Sequence, residues 1–260
     1  MGYPTLTIQY DGEIALIALT VPEKRNAVSS QMITDLLSAL EQAQDSSARV
    51  LIITGAGKSF CAGMDLGELQ AMGKQTTPRN FEDSRRLAKL FYRLYGFPKP
   101  VIAAVNGAAI AGGCGIATLA DFTLAVPEAK FGYPEVTIGF IPAIVSVFLR
   151  RQVGDKLTRE LLLSGRIFDA AEALRLGLVT EIVASEALMS RAREVACSLL
   201  ASGPVALART KKLLLDYEKI AIRADLEAAI EANAEIRSTS DFREGISAFL
   251  EKRSPKWKHE

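Results

Sequence analysis

Two glycine-bearing turns carry the chemistry that this sequence can support. Phe60-Cys61-Ala62-Gly63-Met64-Asp65-Leu66 follows a short apolar run, Val50 to Thr54, and Gly112, Gly113 and Gly115 follow another, Val101 to Val105. Glycine lets a backbone lie close to a ligand, and the start of a helix leaves N–H groups free. Read alone, each turn is an ordinary connection from strand to helix. Read together, two N–H groups from separate turns can converge on one carbonyl oxygen and stabilise it as an oxyanion. Glu135 adds a titratable group. It follows Pro134 and lies beside Val136 and Ile138, and burial among such neighbours raises a carboxyl pKa toward the range suited to acid–base work.

Other chemistries lack their residues. TGAGKSF, Thr54 to Phe60, approaches a phosphate loop, but that pattern requires glycine where Ile52 stands. The Gly113/Gly115 pair meets Thr118 where a dinucleotide fingerprint needs its last glycine. The one histidine, His259, falls in a charged tail, which leaves any serine nucleophile without its usual base. Cys61, Cys114 and Cys197 show no ligand spacing, so no metal site is expected. Their odd number, with an N-terminus that lacks a signal-like apolar run, points to a reducing cytoplasm.

The 260 residues carry a formal net charge of +1, which gives no electrostatic reason to expect a nucleic-acid partner. Val101 to Ala120 holds no charge and is long enough for a membrane span, yet Gly, Ala and one Asn make up over half of it. It reads better as a buried strand, an Asn106-Gly107 turn, and a helix that starts in the glycine cluster and runs to Ala120. No membrane association is expected.

The remaining pattern alternates strand and helix. Leu6 to Gln9 and Ile14 to Leu19 flank an Asp11-Gly12 turn, a strong hairpin signal. Ser29 or Ser30 can cap a helix whose face carries Met32, Leu36, Leu37, Leu40 and Ala43. Gly55 to Gly63 reads as a loop, Gly73 to Pro78 as a mobile segment, and Phe81 to Tyr95 as a helix. Phe122 to Val126 is a strand, and Glu128 to Pro142 an irregular connection. Helices follow at Ile144 to Gln152 and Asp155 to Ser164, and Asp169 with Glu172 forms a capping box. After a strand at Val179 to Val183, the chain from Glu186 onward reads as about four helical segments, broken at Gly203-Pro204, near Tyr217 and at Ser238 to Ser240.

Six segments in order resemble the enoyl-CoA hydratase/isomerase family, the crotonase superfamily: PEKRNAVS, FCAGMDL, KPVIAAVNGAAIAGGCG, AKFGYPEVTIGFIP, LSGRIFDAAEALRLGLV and REGISAFLEKRSPKW. The resemblance implies an α/β fold, a crotonase-like spiral of ββα units with a helical C-terminal region. It divides the chain into a spiral core with the thioester site at 1–200 and a helical oligomerisation and CoA-capping region at 201–260. Self-association as a trimer or a dimer of trimers goes with it.

The resemblance also implies an acyl-CoA thioester substrate and no cofactor, coenzyme A being part of that substrate. Oxyanion donors map to the backbone N–H groups of Met64 and Gly112, and the proton carrier to Glu135. The substrate and CoA contacts map to Lys24, Arg25, Ala27, Ala62, Asp65, Leu66, Gly113, Pro134, Phe249 and Lys252. Tyr133, Ile110, Ile138 and Ile141 are candidates for the acyl pocket.

One departure bears on the reaction. Typical hydratases of the family hold water between two glutamates, and the first falls on Gly115, which has no side chain to orient or deprotonate water. Hydration of a 2-enoyl-CoA is the family default. A single-glutamate shift of the double bond from the 3- to the 2-position is the alternative, as is a methylglutaconyl-CoA-hydratase-like activity. Glu68 is a candidate substitute for the missing acid, although an exposed helix residue is its simpler reading. Ala143 stands where dehalogenase-like and dienoyl-isomerase-like members place an aspartate, which argues against both chemistries. A non-enzymatic protein that binds CoA esters or RNA on the same scaffold is the remaining alternative.

Overall fold

The computed structural model describes residues 2–258, with Leu66 described through its backbone only; His259 lies outside the described residues. The chain opens with an antiparallel hairpin, β1 (Leu6–Asp11) and β2 (Ile14–Leu19). A loop with one 3-10 turn (Pro22–Lys24) leads into α1 (Ser30–Asp45), which Ser29 caps by accepting a hydrogen bond from the Met32 amide at 3.1 Å. The capping side chain and a one-sided apolar face make this helix legible at both levels.

Three units then repeat one plan of two strands followed by helix. The first is β3 (Val50–Gly55), β4 (Ser59–Cys61), α2 (Leu66–Met72) and α3 (Thr77–Tyr95). The second is β5 (Val101–Val105), β6 (Ala108–Ile110) and α4 (Gly112–Thr118). The third is β7 (Phe122–Ala125), β8 (Lys130–Gly132), a 3-10 turn (Pro134–Ile138) and α5 (Ala143–Ser164). The chain closes with β9 (Ile167–Asp169), α6 (Ala170–Arg175), β10 (Glu181–Ile182), α7 (Leu188–Leu200), α8 (Pro204–Glu235) and α9 (Ser240–Leu250). In each unit the first strand joins a six-stranded sheet of order β1-β2-β3-β5-β7-β10, and the second joins a four-stranded sheet of order β4-β6-β8-β9. Every pairing from β2 to β10 in the large sheet is parallel, as are β4 with β6 and β6 with β8. This is the expected α/β spiral of ββα units.

β3 and β5 are buried along almost their whole length. That is why their sequences are continuous apolar runs and not alternating ones. Gly107 sits where β5 turns toward β6. A Cβ there would lie 2.1 Å from the Lys58 carbonyl oxygen, so only glycine lets the two connections cross.

Several boundaries differ from the sequence-based expectation. None of the four strands of the small sheet is expected from the sequence: β4 and β8 fall in stretches read as loop or connection, and β6 and β9 in stretches given no element, because three-residue strands are too short to show a period. The helix after the glycine cluster ends at Thr118, not Ala120. α3 begins at Thr77, inside the segment expected to be mobile, with Pro78 in its first turn where a missing N–H costs nothing. α8 runs unbroken through Tyr217, so the tail forms three helices and not four; residues 205–235 contain no Gly or Pro to interrupt it. α5 does contain the expected break, at Gly154 (φ 78°, ψ 167°), without an intervening loop. Asp169 caps α6 through the Glu172 amide at 2.8 Å, but the Glu172 carboxylate pairs with Arg166, so the capping box is half made. α8 packs across α3 and α5, while α9 packs on the 3-10 turn Pro134–Ile138. Among the described residues no helix is long and apolar enough to cross a membrane.

Candidate active site

The first wall of the site is made by a loop zipped to a turn. Arg25 and Asn26 both adopt left-handed backbone (φ 54°), and the buried Asn26 side chain accepts from the Val21 amide and donates to the Ala56 and Ser59 carbonyls, each at 2.9 Å. The Ala62 amide donates to Arg25 O at 3.0 Å, Val28 to Gly63 O at 2.7 Å, and Asp65 to Val28 O at 3.0 Å. These bonds set Lys24, Arg25 and Ala27 beside Ala62, Met64 and Asp65. Asn26, the hub of this arrangement, carries no pattern that sequence reasoning could have singled out.

The second wall comes from the turn into α4. Ala111, at φ 53°, occupies a conformation that favours glycine, and its amide donates to Gly132 O at 2.8 Å. Gly63 (φ 83°) faces it: a Cβ on Gly63 would lie 2.8 Å from both Ala111 Cβ and Ile110 O. The two glycine-bearing turns are therefore in van der Waals contact. The amides of Ala62, Asp65 and Ala111 are committed to the bonds just described, whereas those of Met64 and Gly112 belong to none of them.

Both residues line a cavity of about 790 Å³. Lys24, Arg25, Ala27, Ala62, Asp65, Pro134, Glu135 and Phe249 line it as well, together with Ile110, Ile138 and Ile141. Sequence-predicted residues from five separate stretches thus meet in one place. Gly113 does not reach the wall. A Cβ there would lie 2.2 Å from Cys61 O, so this glycine is a spacer between α4 and β4. Lys252 is exposed just beyond α9 and also lies outside the wall. Of Leu66 only the backbone is described, as the first residue of α2. Tyr133 is not an acyl-pocket residue: it is buried behind the cavity against Thr118 and Cys114.

Glu135 sits in the 3-10 turn Pro134–Ile138, 7% exposed, with no hydrogen-bond partner for Oε2. Burial raises its pKa from 4.5 to about 7, because the charged form loses hydration that a bond from its own backbone amide only partly replaces. The turn is clamped by α9. A Cβ on Gly139 would lie 2.4 Å from Asp241 O, and one on Gly245 would lie 2.3 Å from Ile138 O. Backbone thus rests on backbone, and the carboxylate is held by a rigid support.

Three other groups take structural duties. Glu68 accepts from the Ser30 amide at 2.8 Å and from its hydroxyl at 2.9 Å, so it holds the N-terminus of α1 and is neither a spare acid in the cavity nor an exposed residue. Asp65 caps α2 and pairs with Lys24 at 2.9 Å. Burial alone would raise its pKa, but Lys24 and two amides bring it below the usual value. Cys61 and Cys114 are buried, which pushes both thiols up to about 12 and removes them as nucleophiles. Among the described residues no group of three or more His, Cys, Asp or Glu is placed to hold a metal ion.

The buried end of the cavity was not foreseen. Leu69, Leu87, Phe91, Phe140 and Val145 line it, with Asn233 as a polar exception. A signal for Asn233 existed: it stands with Ile222, Leu226, Ala229 and Ile230 on the buried stripe of α8, where the helical period calls for an apolar residue.

The sequence profile of the family described as Enoyl-CoA hydratase/isomerase matches residues 9–260. A relative from Thermus thermophilus, named for enoyl-CoA hydratase, is 42% identical over 247 residues, covering 95% of this chain and 98% of its own. The 2,3-dehydroadipyl-CoA hydratase of Escherichia coli is 35% identical over 255 residues, covering 97% and 98%. The crystal structure of an enoyl-CoA hydratase from Bacillus halodurans superposes with a TM-score of 0.89 at 27% identity, over 94% of this chain and 99% of that one. The chain belongs to the enoyl-CoA hydratase/isomerase family and has the crotonase fold. It is an enzyme of that hydratase/isomerase class.

Proposed function

We propose that the protein is an enoyl-CoA hydratase that adds water to a 2-enoyl-CoA through a thioester enolate. The observation that carries this reading is the buried carboxylate of Glu135, its Oε2 without a partner, in the same cavity as the Met64 and Gly112 amides. The two amides hold the thioester oxygen and stabilise the charge that develops on it. Ionised Glu135 accepts a proton from the water whose oxygen bonds to C3. The C2=C3 electron pair moves toward C1, leaving the enolate oxygen between the two amides. Glu135 then returns a proton to C2 and the carbonyl reforms. One group that both deprotonates the water and protonates C2 delivers the hydroxyl and the hydrogen to one face of the double bond.

Gly115 favours a second reading. Among the described residues the other carboxylates on the cavity wall are Glu23, which is exposed, and Asp65, which is paired with Lys24, and a lone carboxylate suffices to move a proton between Cα and Cγ in a 3-enoyl to 2-enoyl isomerisation. Lys24 and Arg25 at the mouth suit the CoA phosphates, and no cofactor beyond the substrate's own CoA is needed. A reducing cytoplasm fits the free cysteines, Cys61, Cys114 and Cys197. The exposed apolar residues Leu213, Leu214, Tyr217 and Ile220 on α8 support self-association as a trimer or paired trimer.

A mass-spectrometric assay of 2-enoyl-CoA and 3-enoyl-CoA, with the native protein and Glu135→Gln, separates the readings. Water gain on the 2-enoyl substrate, lost in the variant, is the expected result. Double-bond migration without water gain would establish the isomerase. If no ester turns over while CoA esters still bind, the catalytic reading fails.

A further inference from the structure

Asn233 closes the buried end of the acyl cavity at 3% exposure. Its Oδ1 accepts two hydrogen bonds, from Ser84 Oγ at 2.9 Å and from Arg237 Nη2 at 2.7 Å. Arginine can only donate, so this pair fixes the orientation of the Asn233 amide. The NH₂ end then has no protein acceptor and is left at the cavity wall. Behind it, Arg237 is 1% exposed, and its Nε and Nη1 also lack acceptors. Its neighbours do not use up the charge. The ring of Phe140 lies 5.9 Å from the guanidinium, and Asp83 is shared with Arg79 at 3.6 Å.

A donor facing an otherwise apolar chamber, backed by a buried cation, is costly unless an acceptor completes it. An alkyl chain end offers none. We propose that the acyl chain taken by this enzyme carries a carboxylate at its far end, received by the Asn233 NH₂ with Arg237 as the charge behind it. The substrate class is thus a dicarboxylic 2-enoyl-CoA, one carboxyl being the thioester and the other free. Asn233 acts here as a specificity residue. This inference rests on the reading of the cavity as an enoyl-CoA site.

The test compares a six-carbon 2-enoyl-CoA with and without a terminal carboxylate, by kcat/KM. It also compares the saturated six-carbon esters, hexanoyl-CoA and adipoyl-CoA, by calorimetric affinity. Native protein and Asn233→Asp are measured in parallel. Asn233→Asp keeps an oxygen for Ser84 and Arg237, removes the donor and adds a negative charge. The expected result is at least a tenfold preference of the native protein for the dicarboxylic member of each pair, abolished in Asn233→Asp. The preference in the native protein stands as a test even if the variant fails to fold. Equal handling of the two members, or a preference for the monoacid, would overturn the proposal while leaving the hydratase reading intact. Selective binding of adipoyl-CoA without turnover of either enoyl ester would uphold the carboxylate site and sink the hydratase reading. If neither saturated ester binds, both fall together.

Discussion

Val145 stands in the space that a side chain on Gly115 would need: a Cβ built there would lie 2.8 Å from Val145 Cγ1. Two ring carbons of Phe91 follow at 3.2 Å. The position where typical hydratases of the family carry their first glutamate is therefore closed in this chain, not merely shortened to glycine. Val145 and Phe91 fill it, and both line the cavity.

Restoring that acid by itself should not restore a two-glutamate site. Gly115→Glu is expected to cost about 1–3 kcal/mol from overpacking, seen as a fall in melting temperature of several degrees, with no gain in hydration rate. Gly115→Glu with Val145→Ala should recover much of the stability, because the nearest obstructing atom is gone. Faster hydration by the single variant at an unchanged melting temperature would contradict this.

Glu135 links activity and stability to pH in opposite senses. The first step needs its ionised form, so kcat/KM should rise with pH through about 7 and then level. Glu135→Gln should lower kcat by about 10²- to 10⁴-fold and abolish that limb. For stability, the native pKa lies above the unfolded value. The side chain is protonated in both states below pH 4.5, and the folded state loses ground as pH rises from there through about 7, above which the loss is complete. The total loss is about 3 kcal/mol. Glu135→Gln mimics the protonated form, so it should melt higher than the native protein at pH 8 and no higher at pH 4. Thermal unfolding at the two pH values checks the sign.

Gly63 keeps the two amide-bearing turns in contact. Alanine there must adopt φ 83° and place its methyl group 2.8 Å from Ala111 Cβ. Gly63→Ala should push the Met64 and Gly112 amides apart and lower kcat about 10²- to 10³-fold, the cost of losing one oxyanion donor. Circular dichroism should remain native. Steady-state kinetics that show a purely KM effect would place the turn in binding only.

The apolar stripe on α8 should govern assembly. Leu214 and Ile220 are 59% and 81% exposed. Light scattering is expected to give a trimer or hexamer for the native protein and a smaller species for Leu214→Glu/Ile220→Glu. A native protein that is monomeric at micromolar concentration would remove the self-association reading.

The sequence exposed the elements that bury long or periodic apolar runs. β3 and β5 are continuous stretches, α1 and α3 carry one-sided faces, and the hairpin turns within one residue of the expected Asp11-Gly12, at Gly12-Glu13. The small sheet was hidden, since β4, β6, β8 and β9 have three residues each and show no period. For the site, the glycine turns and Glu135 were legible because their residue types are unusual where they stand. Roles set by space were not. Gly113 is a spacer because Cys61 passes behind it, and Glu68 serves the Ser30 amide. Asn233 becomes a donor only once Ser84 and Arg237 have claimed its oxygen. Those relations depend on distant segments meeting, which no local pattern records.

The backbone contact between the Glu135 turn and α9 has a consequence during synthesis. Gly139 rests on Asp241, and Gly245 on Ile138, so the turn that bears the carboxylate gains its support from a helix synthesised well after it. Asn233 and Phe249 complete the chamber from the same late portion of the chain. The large sheet can pair long before then, but a nascent chain lacking α9 has no rigid seat for its proton carrier. The seat of the carboxylate is complete only once α9 has docked.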